Sequence, residues 1–139
     1  MIILDTNVLS ELIRSVPDPN VVDWFGKLSP LEAKTTSISL AEMSSGARSL
    51  PQGKRRDALT ALVLELFGTQ FKDRTLVFDV EAAKAYGEVV ATRTRAGRPI
   101  GTMDAEIASI ALSQGASVAT RDVEGFAGLG LALINPWES

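Results

Sequence analysis

Four acidic residues stand where an α/β chain could use them together. Asp5 ends the apolar run Ile2, Ile3, Leu4 that opens the chain, and Asp122 follows a second β-leaning stretch, Ser117 to Thr120. Glu42 lies in a helical segment after a Thr-rich strand, and Asp104 lies in the first turn of a helix that begins near Thr102. Their chemistry is narrowed by two absences. The chain contains no His and no Cys. Thiolate nucleophiles, disulfides and Cys-based zinc sites are thereby excluded. So is the usual general base near neutral pH, which is also the commonest ligand of softer metals. Hydrolytic chemistry would have to rest on carboxylates, Lys, Ser/Thr, Tyr or a hard metal ion. Oxygen-ligated Mg²⁺ or Mn²⁺ suits a chain with 17 acidic residues.

Bringing these carboxylates together has a cost, because like charges at short range raise one another's pKa. A divalent cation removes that cost. It also polarises a phosphoryl oxygen and lowers the pKa of a bound water. Plainer roles exist for each acid taken singly. Asp104 shares its face with Ile107, Ala108 and Ala111, yet an acid in a first turn also complements the helix dipole. Glu42 has Ile38, Ser45 and Gly46 as helical neighbours, and a solvated helix face would account for it equally. Asp5 and Asp122 could each cap a following helix. A carboxylate at the end of a central parallel strand is, however, partly desolvated and needs a partner.

The elements that would position these residues follow from periodicity. An apolar run of three residues is too short for a helix and reads as a buried strand. Val8, Leu9, Leu12 and Ile13 then take the rhythm of an amphipathic helix. After a break at Pro17 and Pro19, a short helix is expected over Asn20 to Leu28, a second strand over Ala33 to Ile38, and a helix from Ser39 to Ser49. Pro51, Gln52 and Gly53 form a turn into a strong helix from Arg55 to Phe67. A third strand over Thr75 to Phe78 ends at Asp79, where a helix cap is the expected role, and a long helix runs from Glu81 to Arg95. A helix from Thr102 to Ser113 stops near Gly115; strands over Ser117–Thr120 and Leu131–Ile134 complete the series. Strands alternating with helices imply a parallel sheet covered on both faces. In such sheets ligands bind at the carboxyl ends of the strands. The two helices joined without a strand between them, over about residues 39–67, make a helical hairpin, expected as a projecting arm.

The bulk numbers fit one domain of residues 1–139 with a core of its own. No window approaches the ~18 consecutive apolar residues of a membrane span. No signal-peptide pattern is visible at the N-terminus, so a cytoplasmic protein is expected. The net charge of −3 is unevenly spread. Arg48, Lys54, Arg55 and Arg56 lie between Glu42 and Asp57 with no acid among them, as do Arg93, Arg95 and Arg98 between Glu88 and Asp104. Such segments can form phosphate-binding surfaces on a mildly acidic protein, although solvated helix ends explain them as well. Glu11, one turn beyond Asn7, could reach the rim of a pocket; a surface role is the expected one.

The motifs Leu4-Asp5-Thr6-Asn7-Val8, Ser39-Leu40-Ala41-Glu42, Asp104-Ala105-Glu106-Ile107-Ala108 and Thr120-Arg121-Asp122 resemble, in order and interval, those of PIN-domain ribonucleases. The resemblance covers the whole chain. The length and the ending Asn135-Pro136-Trp137 look like the VapC/FitB-like toxins of prokaryotic toxin–antitoxin pairs. The resemblance implies a three-layer α/β fold with a five-stranded parallel sheet in the order 3-2-1-4-5, which sets Asp5 beside Asp122. It implies endonucleolytic cleavage of RNA dependent on Mg²⁺ or Mn²⁺. Asp5, Glu42 and Asp104 would be the main metal-site acids, with Asp122 supporting; Thr6 and Thr120 would line the pocket and Asn7 would orient Asp5. Arg48, Arg55, Arg56, Arg93, Arg95 and Arg98 are the candidates to grip RNA. A prokaryotic, cytoplasmic homodimer is implied, with a DNA-binding antitoxin that docks on the helical arm. The face of Leu59, Leu62, Val63, Leu66 and Phe67 fits such a groove, although it reads equally as core.

Two other functions compete. One is a phosphotransferase with Asp5 as covalent nucleophile; a familiar version has a second Asp two positions on, where this chain has Asn7. The other is a non-catalytic RNA- or protein-binding module on the same fold. Loss of an acid would favour it, and none of the four is lost.

Overall fold

A computed structural model describes residues 1–139. Five strands, β1 (Ile2–Leu4), β2 (Ala33–Thr36), β3 (Thr75–Leu76), β4 (Ser117–Ala119) and β5 (Leu133–Ile134), form one sheet in the order β3-β2-β1-β4-β5. Every pairing is parallel. The order reverses beside β1, where Leu4 is in register with Ala119. This is the sheet, and the switch point, that the motifs imply.

Six helices cover the sheet: α1 (Thr6–Leu12), α2 (Pro19–Gly26), α3 (Ser37–Arg48), α4 (Lys54–Glu65), α5 (Val80–Arg95) and α6 (Thr102–Gln114). Strand alternation divides the core in two. Ile3 and Val118 point to one face and join Val89, Ile107, Ile110 and Phe126. Leu4 and Ala119 point to the other and join Val8, Leu9, Val21, Val63 and Phe71. The first core is closed by α5 and α6, the second by α1 to α4. Central strands buried on both faces explain why β1 reads as an unbroken apolar run.

The α3–α4 hairpin is present. It rests on the second core: Val63, Leu66 and Phe67 are buried there, with Leu59 packed beside them. Leu62 remains exposed, as does Leu64. Most of this face is therefore core. Beyond Glu65 the chain continues as a π-helical turn, Leu66–Gln70.

Several boundaries differ from the expected ones. β2 ends at Thr36, two residues before Ile38, because the Thr36 hydroxyl accepts from the Ser39 backbone N–H and caps α3. A β-branched residue thus closes the strand and opens the helix. Asp79 caps α5 through the Ala82 N–H, as expected. No helix is long and apolar enough to cross a membrane.

A candidate active site at the strand ends

Asp5 leaves β1 and caps α1. Its backbone N–H donates to the Ala119 carbonyl, so the residue is still part of the sheet. Its side chain is almost wholly buried. Oδ1 accepts from the Thr6 N–H at 2.8 Å, and Oδ2 accepts from the Thr120 hydroxyl at 2.8 Å and the Asn7 amide at 3.4 Å. Helix capping and a buried, oriented carboxylate are thus the same arrangement.

Thr120 is the hub between the two central strands. Its fully buried hydroxyl donates to Asp5 and accepts from Asn7 Nδ2 at 3.2 Å and from the Asp122 N–H at 3.0 Å. The Asn7 side-chain oxygen, Oδ1, accepts in turn from the Arg121 backbone N–H at 3.2 Å. Thr6 reaches the other way, its hydroxyl lying 2.8 Å from Glu42 Oε1 and 2.9 Å from Ser39 Oγ. The early start of α3 is what presents Ser39 and Glu42 to α1. Thr6 and Asn7 line the cleft described below, whereas Thr120, expected to line it, lies fully buried behind Asp5.

Asp5, Glu42, Asp104 and Asp122 all line one open cleft of about 450 Å³, together with Thr6, Asn7, Ser10, Glu11, Arg14, Arg121 and Trp137. Burial above all, with the charges of Asp104 and Glu42, raises the Asp5 carboxyl from 3.8 to about 6 against the pull of the Thr120 and Thr6 hydrogen bonds. Burial also raises Asp104, followed by the charges of Glu42 and Asp122; Arg93 acts the other way. The acids thus sense one another across the cleft. They are not gathered into a ready ligand shell: no three acidic side chains stand close enough together to hold an ion at once. The donor set itself, all carboxylate oxygen with hydroxyls behind it, matches the preference of Mg²⁺ and Mn²⁺.

Asp122 has a geometry of its own. Its Oδ1 accepts from the Gly125 N–H at 3.0 Å, and its carboxylate lies against the Gly125 Cα. A Cβ on Gly125 would come within 2.3 Å of Asp122 Oδ2 and 2.8 Å of its Cγ. Gly125 is not among the positive-φ glycines, so alanine suits its backbone. Gly125→Ala is expected to fold normally while pushing the Asp122 carboxylate aside and lowering activity by roughly tenfold, the lower end for displaced supporting groups. Activity assays beside thermal melts check this; unchanged activity would show that the position of Asp122 does not matter.

Other expectations need correction. Arg93 does not face solvent. It is buried, and its guanidinium donates to the carbonyls of Arg98, Glu124 and Ala127 at 2.8, 3.0 and 2.9 Å. It braces the end of α5 against the segment after Asp122, and its burial leaves it little surface to offer RNA. Arg98 pairs with Glu124 at 2.8 Å, and Arg95 with Glu88 at 3.6 Å. Arg48 and Arg56 line a separate polar hollow with Gln52, Gly53, Asp57 and Thr60, while Arg55 is exposed. None of the six lines the acidic cleft. Glu11 is not a surface acid either: it is buried, with Arg14 at 3.2 Å and the Asp18 N–H at 2.9 Å on its carboxylate. Sequence reasoning passed over Arg121 and Trp137 as site residues. The one available signal was an arginine directly beside Asp122.

The chain matches the PIN domain family over residues 2–129. It belongs to that family. Among related proteins, this PIN domain is 42% identical over 139 residues to the plasmid stability protein StbB of Pseudomonas syringae pv. tomato, covering 100% of both chains. It is 37% identical over 138 residues to the VapC ribonuclease Y4jK of Sinorhizobium fredii, covering 99% of both. Among solved structures it is similar to that of FitAB bound to an IR36 DNA fragment, with a TM-score of 0.90 and 34% identity over 99% of this chain and 96% of that one. The resemblance to PIN-domain, VapC/FitB-like proteins that the motifs carry is borne out. So is the sheet order of this PIN domain.

Proposed function

We propose that this PIN domain is a metal-dependent endoribonuclease and the toxin of a toxin–antitoxin pair. The observation that carries the reading is the lining of one strand-end cleft by Asp5, Glu42, Asp104 and Asp122. Relatives named as ribonucleases agree with it. Asp5, Glu42 and Asp104 would hold Mg²⁺ or Mn²⁺, with Asp122 in support. When bound, the ion would supply charge neutralisation at the scissile phosphate and a water acidified enough to attack in line.

The protein's own part is preorganisation. Thr6 fixes two acids at once: its N–H holds Asp5 and its hydroxyl holds Glu42. Thr120 and Asn7 hold the second oxygen of Asp5. Asn7 thus serves as an orienting amide, which fits hydrolysis better than phosphoryl transfer to Asp5. Because Asp5 must be ionised to bind a cation, affinity for the ion, and activity where the ion is subsaturating, should rise with pH through about 6.

An antitoxin partner is supported by a second, more apolar hollow of about 280 Å³ between α1, α3 and α4. It is lined by Ile13, Met43, Ala47, Leu59 and Val63, and it shares Thr6, Ser10, Arg14 and Glu42 with the acidic cleft. A segment seated there would end at the acids and block them. The FitAB structure joins a similar chain to its partner on DNA. A cytoplasmic homodimer belongs to the same reading, and light scattering would measure the assembly.

Chelation tests the metal. EDTA is expected to stop cleavage of single-stranded RNA by the purified protein, and added Mg²⁺ or Mn²⁺ to restore it. Cleavage that persists in chelator would exclude the metal mechanism.

A further inference from the structure

Five carboxylates line the acidic cleft, Asp5, Glu11, Glu42, Asp104 and Asp122, against two guanidiniums, Arg14 and Arg121. A polyanionic strand entering it meets mostly repulsion. A bound cation would offset this at the scissile phosphate, but the field is screened within ~8 Å at physiological salt, so neighbouring phosphates need a cation of their own. Arg14 is already paired with Glu11 at 3.2 Å. Arg121 takes part in none of the ion pairs of the chain. Its guanidinium lies over the Trp137 ring, 5.0 Å from the centroid.

That arrangement is built from both sides. The Arg121 N–H is tied to Asn7 Oδ1, which joins it to the network around Asp5. Trp137 is held in a short 3-10 turn, Pro136–Glu138, with its N–H on Asn135 Oδ1 at 3.0 Å and its carbonyl accepting from Asn20 Nδ2 at 3.0 Å. A guanidinium stacked on an indole keeps its N–H edges free, and that planar fork suits a phosphate. We propose that Arg121, braced by Trp137, binds a phosphate of the RNA next to the scissile one. Arg121 is then a substrate-binding residue and Trp137 a positioning residue. The inference rests on the ribonuclease reading.

The experiment measures binding of a labelled single-stranded oligoribonucleotide of mixed sequence to full-length protein. Asp5→Asn serves as the parent, so that bound RNA stays intact, and salt is varied. Arg121→Gln in that parent is expected to weaken binding roughly tenfold, the worth of one charge-assisted contact. It should also flatten the slope of log affinity against log salt by about 0.7, the loss of one phosphate contact on a single strand. Arg121→Lys should keep the slope and lose part of the affinity. Trp137→Leu should weaken binding less than Arg121→Gln, and Trp137→Phe should restore it. In the otherwise wild-type chain, Arg121→Gln should lower kcat/KM mainly through KM. An unchanged salt slope in Arg121→Gln, with the wild type still cleaving RNA, overturns this inference and leaves the ribonuclease reading standing. Absence of RNA cleavage by the wild type with Mg²⁺ or Mn²⁺ present overturns both.

Discussion

Asp5→Asn is expected to lower RNA cleavage by about 1,000-fold or more while leaving the protein at least as stable as before. The first half follows from the proposed role, since a bound ion contributes several kcal/mol at the transition state and each 1.36 kcal/mol is tenfold. The second half follows from burial. The Asp5 carboxyl titrates near 6 in the folded chain, against an ordinary value of 3.8. The folded state therefore holds the Asp5 proton more tightly than the unfolded state does. In chelator, the contribution of Asp5 to stability is full below about pH 4, declines as pH rises to about 6, and stays lost above that. The loss over this interval is on the order of 3 kcal/mol. Asparagine carries no charge to bury. Its amide oxygen can take the place of one carboxylate oxygen only, keeping either the Thr6 N–H bond or the Thr120 and Asn7 bonds. The contact given up costs about 1 kcal/mol, less than the burial penalty removed. In chelator at pH 8, Asp5→Asn should melt at a temperature up to about 8 °C higher than the wild type, and the decline between pH 4 and 6 should vanish. A melting temperature well below wild type would mean that the carboxylate serves the fold as a cap. Undiminished cleavage in this variant would remove Asp5 from the chemistry.

Thr120→Val should act in the opposite sense on stability. Valine fills the same space at a fully buried position but removes three hydrogen bonds, to Asp5, Asn7 and the Asp122 N–H. One of these is to a carboxylate, and buried groups left without partners cost about 1–3 kcal/mol each. A loss of about 3 kcal/mol in denaturant unfolding is expected at pH 8. Asp5 would also lose the side-chain hydrogen bond that holds its carboxyl down, so its titration should move higher and the pH dependence of stability should steepen. Thr120→Ser keeps the hydroxyl and should recover most of both effects. Equal stability of Thr120→Val and wild type would show that the two central strands are not joined through this network.

Much of this site could be read from residue types. With no His and no Cys, carboxylates were among the few candidates left for hydrolysis, and Asp5, Glu42, Asp104 and Asp122 do line one cleft. The sheet order came from the motifs, since periodicity alone does not say which strands are neighbours. What stayed hidden depends on distant backbone. Arg93 sits in a basic run like its neighbours, but two of its three acceptors are the carbonyls of Glu124 and Ala127, over thirty positions away, and a carbonyl leaves no mark in the sequence. Glu11 is held by the backbone N–H of Asp18, across the break that Pro17 introduces. Thr36 has the composition of a strand residue and the geometry of a cap. The crowding between Gly125 and Asp122 exists only once the chain has turned.

The central claim is that the four acids of the cleft act together on one kind of hard cation. Titration of Mn²⁺ into the metal-free protein at pH 8, followed by calorimetry, tests it most directly. Saturable binding is predicted for the wild type, with a large loss in Asp5→Asn, Glu42→Gln and Asp104→Asn, and a smaller loss in Asp122→Asn. Binding of equal affinity in the wild type and all four variants would contradict the account, as would a wild type that takes up no Mn²⁺.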